Sequence, residues 1–208
     1  MRMLELFSGS GNMAAAFRAE GYVTLTVDLD CEADLQKDVR ELTAQEIIER
    51  LGGRPDVIWA SPPCTAFSVA AISRNWKDGK PTSEKAYLGM ELLSHTLRLI
   101  MQLQPAKWYI ENPRGMMRTL PIMEFLPRRT LTFCQYGDRA QKPTDIWTNV
   151  HLFHPRKCRP GAPCHDAQPR GYRAKLDTGA IKKGTQGKSN AYERGKLPEQ
   201  LCREVAGL

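Results

Sequence analysis

Short apolar segments separated by helix-forming stretches recur along the first half of this chain. That alternation constrains the fold more than any other feature. Met3–Phe7, Tyr22–Val27, Asp56–Ala60 and Trp108–Ile110 have the length and residue types of strands. Asn12–Glu20, Thr43–Leu51 and Lys85–Gln104 lie between them as helices. Gly21 and Gly52-Gly53 end the first two helices. Thr43 and Glu46 predict a capping box on the second. Gly89 weakens the first turn of the third, so a later start is expected there. Residues 71–85, with Gly79 and Pro81, read as loop, and Thr130–Gln135 and Ile146–Leu152 as further strands. Strands and helices alternating at this spacing predict an α/β, doubly wound, mainly parallel sheet.

Such a sheet binds ligands beyond the C-terminal ends of its strands. Four polar clusters fall there: Gly9–Gly11, Asp28, Ser61–Cys64 and Glu111–Pro113. The glycine turn lets a ligand approach the backbone closely. It lacks a third glycine at dinucleotide spacing, and no phosphate-loop lysine follows. The reading is therefore an adenosine ligand without phosphates. Asp28, at the end of the second strand, is placed to bind ribose hydroxyls. Asp38 is a candidate acceptor for the adenine amino group. Pro62 and Pro63 fix the chain direction after the third strand and present Cys64, a nucleophile once ionised. Glu111, at a buried strand end, is a candidate acid held protonated near neutrality. The plain structural alternatives are a small buried thiol, solvated loop acids, and a Glu111 paired to Arg114 or Arg118.

Lys and Arg balance Asp and Glu through residue 150, so the net charge of +7 lies entirely beyond it. A basic segment on a neutral body suits a nucleic-acid partner, or else forms a solvated surface. The six cysteines are irregularly spaced, no charged and apolar leader precedes the first strand, and no apolar run is long enough to span a bilayer. The expectation is a protein of a reducing compartment with free thiols, no membrane association and no obligate protein partner. Cys158, Cys164 and His165 invite a zinc reading, with His151, His154 or Cys134 as fourth ligand. Their C-x5-C-H spacing is not a common zinc spacing, so free thiols and no metal are expected.

The ordered set FSGSGNM, VDLD, KDVREL, SPPCTAFS, IENPRGMM and QYGDRAQKP resembles the motifs of the cytosine-5 DNA methyltransferase family across residues 3–150. The resemblance implies a Rossmann-like, class I S-adenosylmethionine-dependent fold, with S-adenosyl-L-methionine as cofactor and DNA as partner. It implies a cofactor cradle from Phe7, Gly9, Gly11 and Asn12, from Asp28, Leu29, Asp38 and Val39, and from Pro62. It also assigns Cys64 to attack carbon 6 of cytosine and Glu111 to N3, so that carbon 5 becomes nucleophilic. The domain reading is a catalytic domain at 1–150, a small basic DNA-recognition region at 151–190 including the Lys182–Lys188 loop, and a C-terminal helix at 191–208 packed back on the first.

Two stretches depart from the family pattern. Thr65 follows Pro-Cys where glutamine is usual, and Lys142 and Thr144 fall on the two arginine positions after the Tyr-Gly motif, with Arg139 as the candidate substitute. The short tail suggests relaxed sequence specificity. It is similar to compact enzymes of bacterial viruses, which would place the protein in the cytoplasm of a bacterium or phage-infected cell. Three other readings stay open: an amino-methyltransferase using Ser61-Pro62-Pro63, an RNA cytosine-5 methyltransferase, and a catalytically silent nucleic-acid binder.

Overall fold

A computed structural model of the protein describes residues 1–159, 162–165, 173–175, 181–183 and 191–208. Its main elements are β1 (Arg2–Leu6), α1 (Asn12–Ala19), β2 (Val23–Asp28), β3 (Leu35–Gln36), α2 (Ala44–Leu51) and β4 (Val57–Ala60). There follow α3 (Glu84–Leu103), β5 (Lys107–Pro113), β6 (Arg128–Thr132), β7 (Pro143–Thr148), α4 (Ala191–Gly195) and α5 (Glu199–Ala206). One seven-stranded sheet runs in the order β3-β2-β1-β4-β5-β7-β6. The first five strands are mutually parallel, and β7 is antiparallel to both of its neighbours.

Both faces of this sheet are covered, which is why its strands are apolar at nearly every position. Leu4, Leu6, Ile58 and Ile110 point to one face and pack with Ile47 and Leu51 of α2 and Leu92 and Leu99 of α3. Met3, Val57, Trp59 and Tyr109 point to the other and pack with Met13 and Phe17 of α1 and Leu201 and Val205 of α5. An isolated eight-residue helix is not stable in water. α5 forms because this face of α1 receives its apolar residues, each worth roughly 1.5–3 kcal/mol when buried.

Local expectations are revised in four places. α3 starts at Glu84 because the Ser83 hydroxyl accepts the Ala86 N–H, and Gly89 does not delay it. The capping box on α2 is half formed. Thr43 accepts the Glu46 N–H, but the Glu46 carboxylate turns to Lys37 at 2.7 Å. Residues 71–85 are not plain loop: Ile72–Asn75 is a helical turn, and Trp76–Lys77 pairs with Lys80–Pro81. Finally, β6 stops at Thr132, where Phe133–Tyr136 turns and Gly137 takes φ +87°, and β7 begins at Pro143, earlier than expected. Proline is tolerated as the first residue of a strand.

Candidate active site

The chain leaves β1 toward β2 and β3 on one side and continues from β4 to β5 on the other. The β1–β4 boundary is therefore the topological switch point, where such sheets open a crevice. Two connected hollows, of about 700 Å³ and 240 Å³, lie there and share Ser8, Gly9, Ser10, Cys31 and Tyr192.

The glycine turn after β1 forms the wall of the crevice. Gly9 and Gly11 take φ +53° and +67°, and a Cβ on either would meet no protein atom within 4 Å. Side chains there would project into open space. Phe7 also has positive φ, at 58°, a strained conformation for a bulky residue, and it lines the smaller hollow. Ser8 lines this space too, and its hydroxyl is buried without a hydrogen-bond partner. Beneath the turn, one Asp28 oxygen accepts the Gly9 N–H at 2.9 Å and the other accepts the N–H groups of Asp30 and Cys31. Asp28 thus locks the loops after β1 and β2 together.

Ser61–Cys64 leave the end of β4. The Cys64 carbonyl accepts N–H groups from Phe67 and Ser68, while Asn75 and the Trp76 indole donate to the Thr65 and Ala66 carbonyls. From β5, Asn112 donates its side-chain amide to the Pro62 carbonyl at 2.8 Å. The loop is therefore tied on both sides. Cys64 is exposed to the smaller hollow, yet the protein around its sulfur removes water and pushes the thiol above its ordinary value. The Glu111 charge adds to this rise, while Lys142 and Arg194 oppose it.

Glu111 lines the same hollow and is 5% exposed, with one carboxyl oxygen lacking any hydrogen-bond partner. Burial pushes its carboxyl up; Lys142 and the Ser61 hydroxyl pull it down, and Asp145 pushes it up again. Arg118 does not neutralise it, because Arg118 pairs with Asp145 at 2.7 Å. A buried acid with one unpaired oxygen, on a residue that lines a cavity, is a ready hydrogen-bond donor to a ligand nitrogen.

The structure thus brings Phe7, Gly9, Pro62, Cys64 and Glu111 to one hollow and Gly11 to its neighbour. It does not bring all of the predicted cradle there. The Asn12 amide is given to the Leu197 carbonyl at 2.8 Å. The Asp38 carboxylate is held by Arg40, which keeps it below its usual range, and Val39 is core. Leu29 is an exposed apolar side chain beside Asp28 and lines neither hollow. Arg139 does not substitute for the displaced arginines, because it lines a separate pocket. Lys142 takes that place: it lines the hollow, stacks over the Phe133 ring at 4.2 Å and donates to the Arg194 carbonyl. Thr144 is buried in the sheet and donates to the Lys142 carbonyl. Tyr192, Lys196 and Leu197, which close the cleft from the C-terminal segment, had no local signal to mark them. The Lys182–Lys188 loop lies mostly outside the described residues.

The strand order, the single inserted antiparallel strand and the glycine turn at the switch point define a Rossmann-like fold. A solved structure described as a DNA modification methyltransferase encoded within a prophage (E. coli) has this fold. Its TM-score is 0.50 at 20% identity, over 71% of this chain and 46% of that one. The family model for C-5 cytosine-specific DNA methylase matches residues 1–121, and the chain belongs to that family. The "Probable DNA (cytosine-5)-methyltransferase" of Frog virus 3 (isolate Goorha) is 33% identical over the full length of both chains. The type II methyltransferase M.AplI of Arthrospira platensis is 28% identical over 120 residues, and this chain spans only 32% of its length. Among the described residues no helix is long and apolar enough to cross a membrane.

Proposed function

We propose that the protein transfers a methyl group from S-adenosylmethionine to carbon 5 of cytosine in DNA, with Cys64 as nucleophile and Glu111 as the acid at N3. One observation carries this reading: Cys64 and the buried Glu111 carboxyl, one of whose oxygens has no partner, line a single hollow that also opens onto the glycine turn.

The residues of the cradle fit the cofactor. The open space over Gly9 and Gly11 and the orphaned Ser8 hydroxyl suit a polar, backbone-hugging ligand. Asp28 shapes the turn by accepting backbone N–H groups, and the oxygen that accepts only the Gly9 N–H keeps a lone pair for a ribose hydroxyl. When bound, S-adenosylmethionine supplies an electrophilic methyl group on a sulfonium.

The rest of the chemistry falls to the protein's own groups. The Cys64 thiolate adds to carbon 6 of the ring, forming a C–S bond, while Glu111 donates its proton toward N3. The electron pair freed at carbon 5 makes that carbon nucleophilic. After methylation, solvent water takes the carbon-5 proton, the ring double bond re-forms, the C–S bond breaks to release the Cys64 thiolate, and N3 returns its proton to Glu111. Lys142 favours the thiolate electrostatically. A cytosine reaches a hollow of this size only by leaving the duplex stack. The basic residues beyond 150 would hold the DNA backbone, with 151–190 as the recognition region. The cytoplasm of a bacterial or phage-infected cell suits an enzyme with a free nucleophilic thiol.

The test is to incubate the protein with tritiated S-adenosylmethionine and DNA, then identify the labelled nucleoside. DNA containing 5-fluorocytosine is run in parallel. Label in 5-methyldeoxycytidine and a denaturation-resistant adduct lost in Cys64→Ala support the reading. Label in N4-methyldeoxycytidine or N6-methyldeoxyadenosine, or label only in RNA, overturns it.

A further inference from the structure

Outside the cleft, one cluster of side chains has no part in the proposed chemistry. Cys134 comes from the turn after β6, and Cys158, Cys164 and His165 come from the segment that leaves the sheet after β7. One ligand atom from each lies within 4.8 Å of all the others. The expectation of free thiols without a metal rested on the local C-x5-C-H spacing. Spacing alone also left the fourth ligand open among His151, His154 and Cys134, and the fold selects Cys134 from its distant position. The exposed His151 and His154, the other candidates, stand outside the cluster.

We propose that these four residues form a structural zinc site of the Cys3His type. A tetrahedral zinc with Zn–S near 2.3 Å and Zn–N near 2.0 Å requires S···S edges of about 3.8 Å and S···N edges of about 3.5 Å. The Cys164 and Cys134 sulfurs are 3.6 Å apart, His165 Nδ1 is 3.5 Å from the Cys164 sulfur, and it is 4.0 Å from that of Cys158. Three of the six edges are thus within about 0.5 Å of a coordination tetrahedron, and the other three are no longer than 4.8 Å. With four protein ligands the site is closed, which is the structural rather than the catalytic arrangement.

The surroundings suit thiolates. Gln135 donates its side-chain amide to the Cys164 sulfur at 3.2 Å, and Gln141 donates to that of Cys158 at 3.1 Å. Three thiolates on a divalent ion leave one net negative charge, and N–H donors to the sulfurs offset it. The Cys158 N–H donates to the Thr132 hydroxyl, which seats the incoming segment on the end of β6.

The need for such a site is physical. The described residues between His154 and His165 contain no helix or strand, and among them Cys158 alone is buried. A segment this polar and irregular cannot hold itself to the sheet by a core of its own, and a metal supplies the missing free energy. The ion would pin this arm beside Gly137–Arg139, on the loop that leads back to Lys142.

The test uses the full chain, purified without chelator and without a histidine tag. Elemental analysis should find one zinc per chain. Cobalt added to metal-stripped protein should bind with equimolar stoichiometry and give the intense ligand-field bands of a tetrahedral site with sulfur charge transfer. His165→Cys, a four-cysteine set, should retain the metal and strengthen the charge-transfer band, while the double variant C158S/C164S should lose it. Trypsin should cut the 156–165 arm faster in metal-stripped protein than in the loaded form. Folded wild-type protein that lacks zinc and takes up no cobalt, or takes it up only with a weak octahedral spectrum, overturns the proposal. So does zinc content unchanged in C158S/C164S, or a Cys134–Cys164 disulfide in protein kept under reducing conditions. Should the double variant fail to fold, the wild-type stoichiometry and spectrum decide alone.

Discussion

Asn112 donates its side-chain amide to the carbonyl of Pro62 at 2.8 Å, both groups being buried, and this bond ties the end of β5 to the loop that presents Cys64. Asn112 makes no contact with the reacting atoms in this scheme; it is a positioning residue. Asn112→Ala leaves a buried carbonyl unpaired, which costs about 1–3 kcal/mol. We expect chemical denaturation to show that loss. Single-turnover methyl transfer should slow while cofactor affinity, measured by calorimetry, stays within a few-fold. An equal loss of cofactor affinity would show that the bond shapes the glycine cradle instead.

Cys64 must lose a proton and Glu111 must hold one, and each is pushed up by burial. The fraction of protein in the working form therefore rises and then falls with pH, giving a bell-shaped single-turnover profile. The limbs belong to the interacting pair rather than to one residue. Glu111→Gln should lower the rate by roughly 10²–10⁴ and abolish the alkaline decline. Lys142 favours the charged form of both groups, so Lys142→Met should move the whole bell to higher pH. A profile that stays in place in Lys142→Met would remove Lys142 from the site's electrostatics.

Much of this arrangement was legible in the chain, for a physical reason. Strand and helix periodicity report local burial, and β1, β2, β4 and β5 are buried on both faces, so their apolar runs stood out. The residues at their C-terminal ends needed only the topology rule to converge. Contacts that depend on distant segments were not legible. Asp38 and Asn12 were assigned to the cofactor, but Arg40 and the Leu197 carbonyl engage them. Lys142 reaches the hollow because Phe133 and the Arg194 carbonyl hold its side chain. Cys134 was one of three candidates for a fourth ligand, and only the pairing of β6 with β7 singles it out by bringing it to Cys158.

Gly89 lies inside α3, where alanine would ordinarily add about 1 kcal/mol of helix stability. Here a Cβ would stand 2.4 Å from the Ala66 Cβ and 3.1 Å from the Phe67 ring, on the loop that follows Cys64. Overpacking of this kind costs about 1–3 kcal/mol, so the clash should win. Gly89→Ala is expected to lower stability by about 1 kcal/mol and to slow adduct formation at Cys64. Ala66→Gly in the same chain should restore part of both. Stabilisation by Gly89→Ala alone would show that the loop yields freely.

Glu5 is 2% exposed on β1 and accepts the Ala14 N–H at 2.8 Å, capping α1 where Gly11 has no side chain to do so. Burial pushes its carboxyl from 4.5 up to about 8, against the opposing effect of that backbone hydrogen bond. The folded state therefore keeps a proton that the unfolded chain gives up. Its contribution is full below pH 4.5 and is lost as pH rises through 8, by up to about 1.4 kcal/mol per unit. Gln at this position keeps a carbonyl acceptor for Ala14 and cannot ionise. Glu5→Gln should match the wild type near pH 5 and become progressively the more stable protein toward pH 8, as read by urea denaturation across that range. A stability difference that does not change with pH would mean that Glu5 is already charged in the folded protein, with its charge met by the N-terminus of α1.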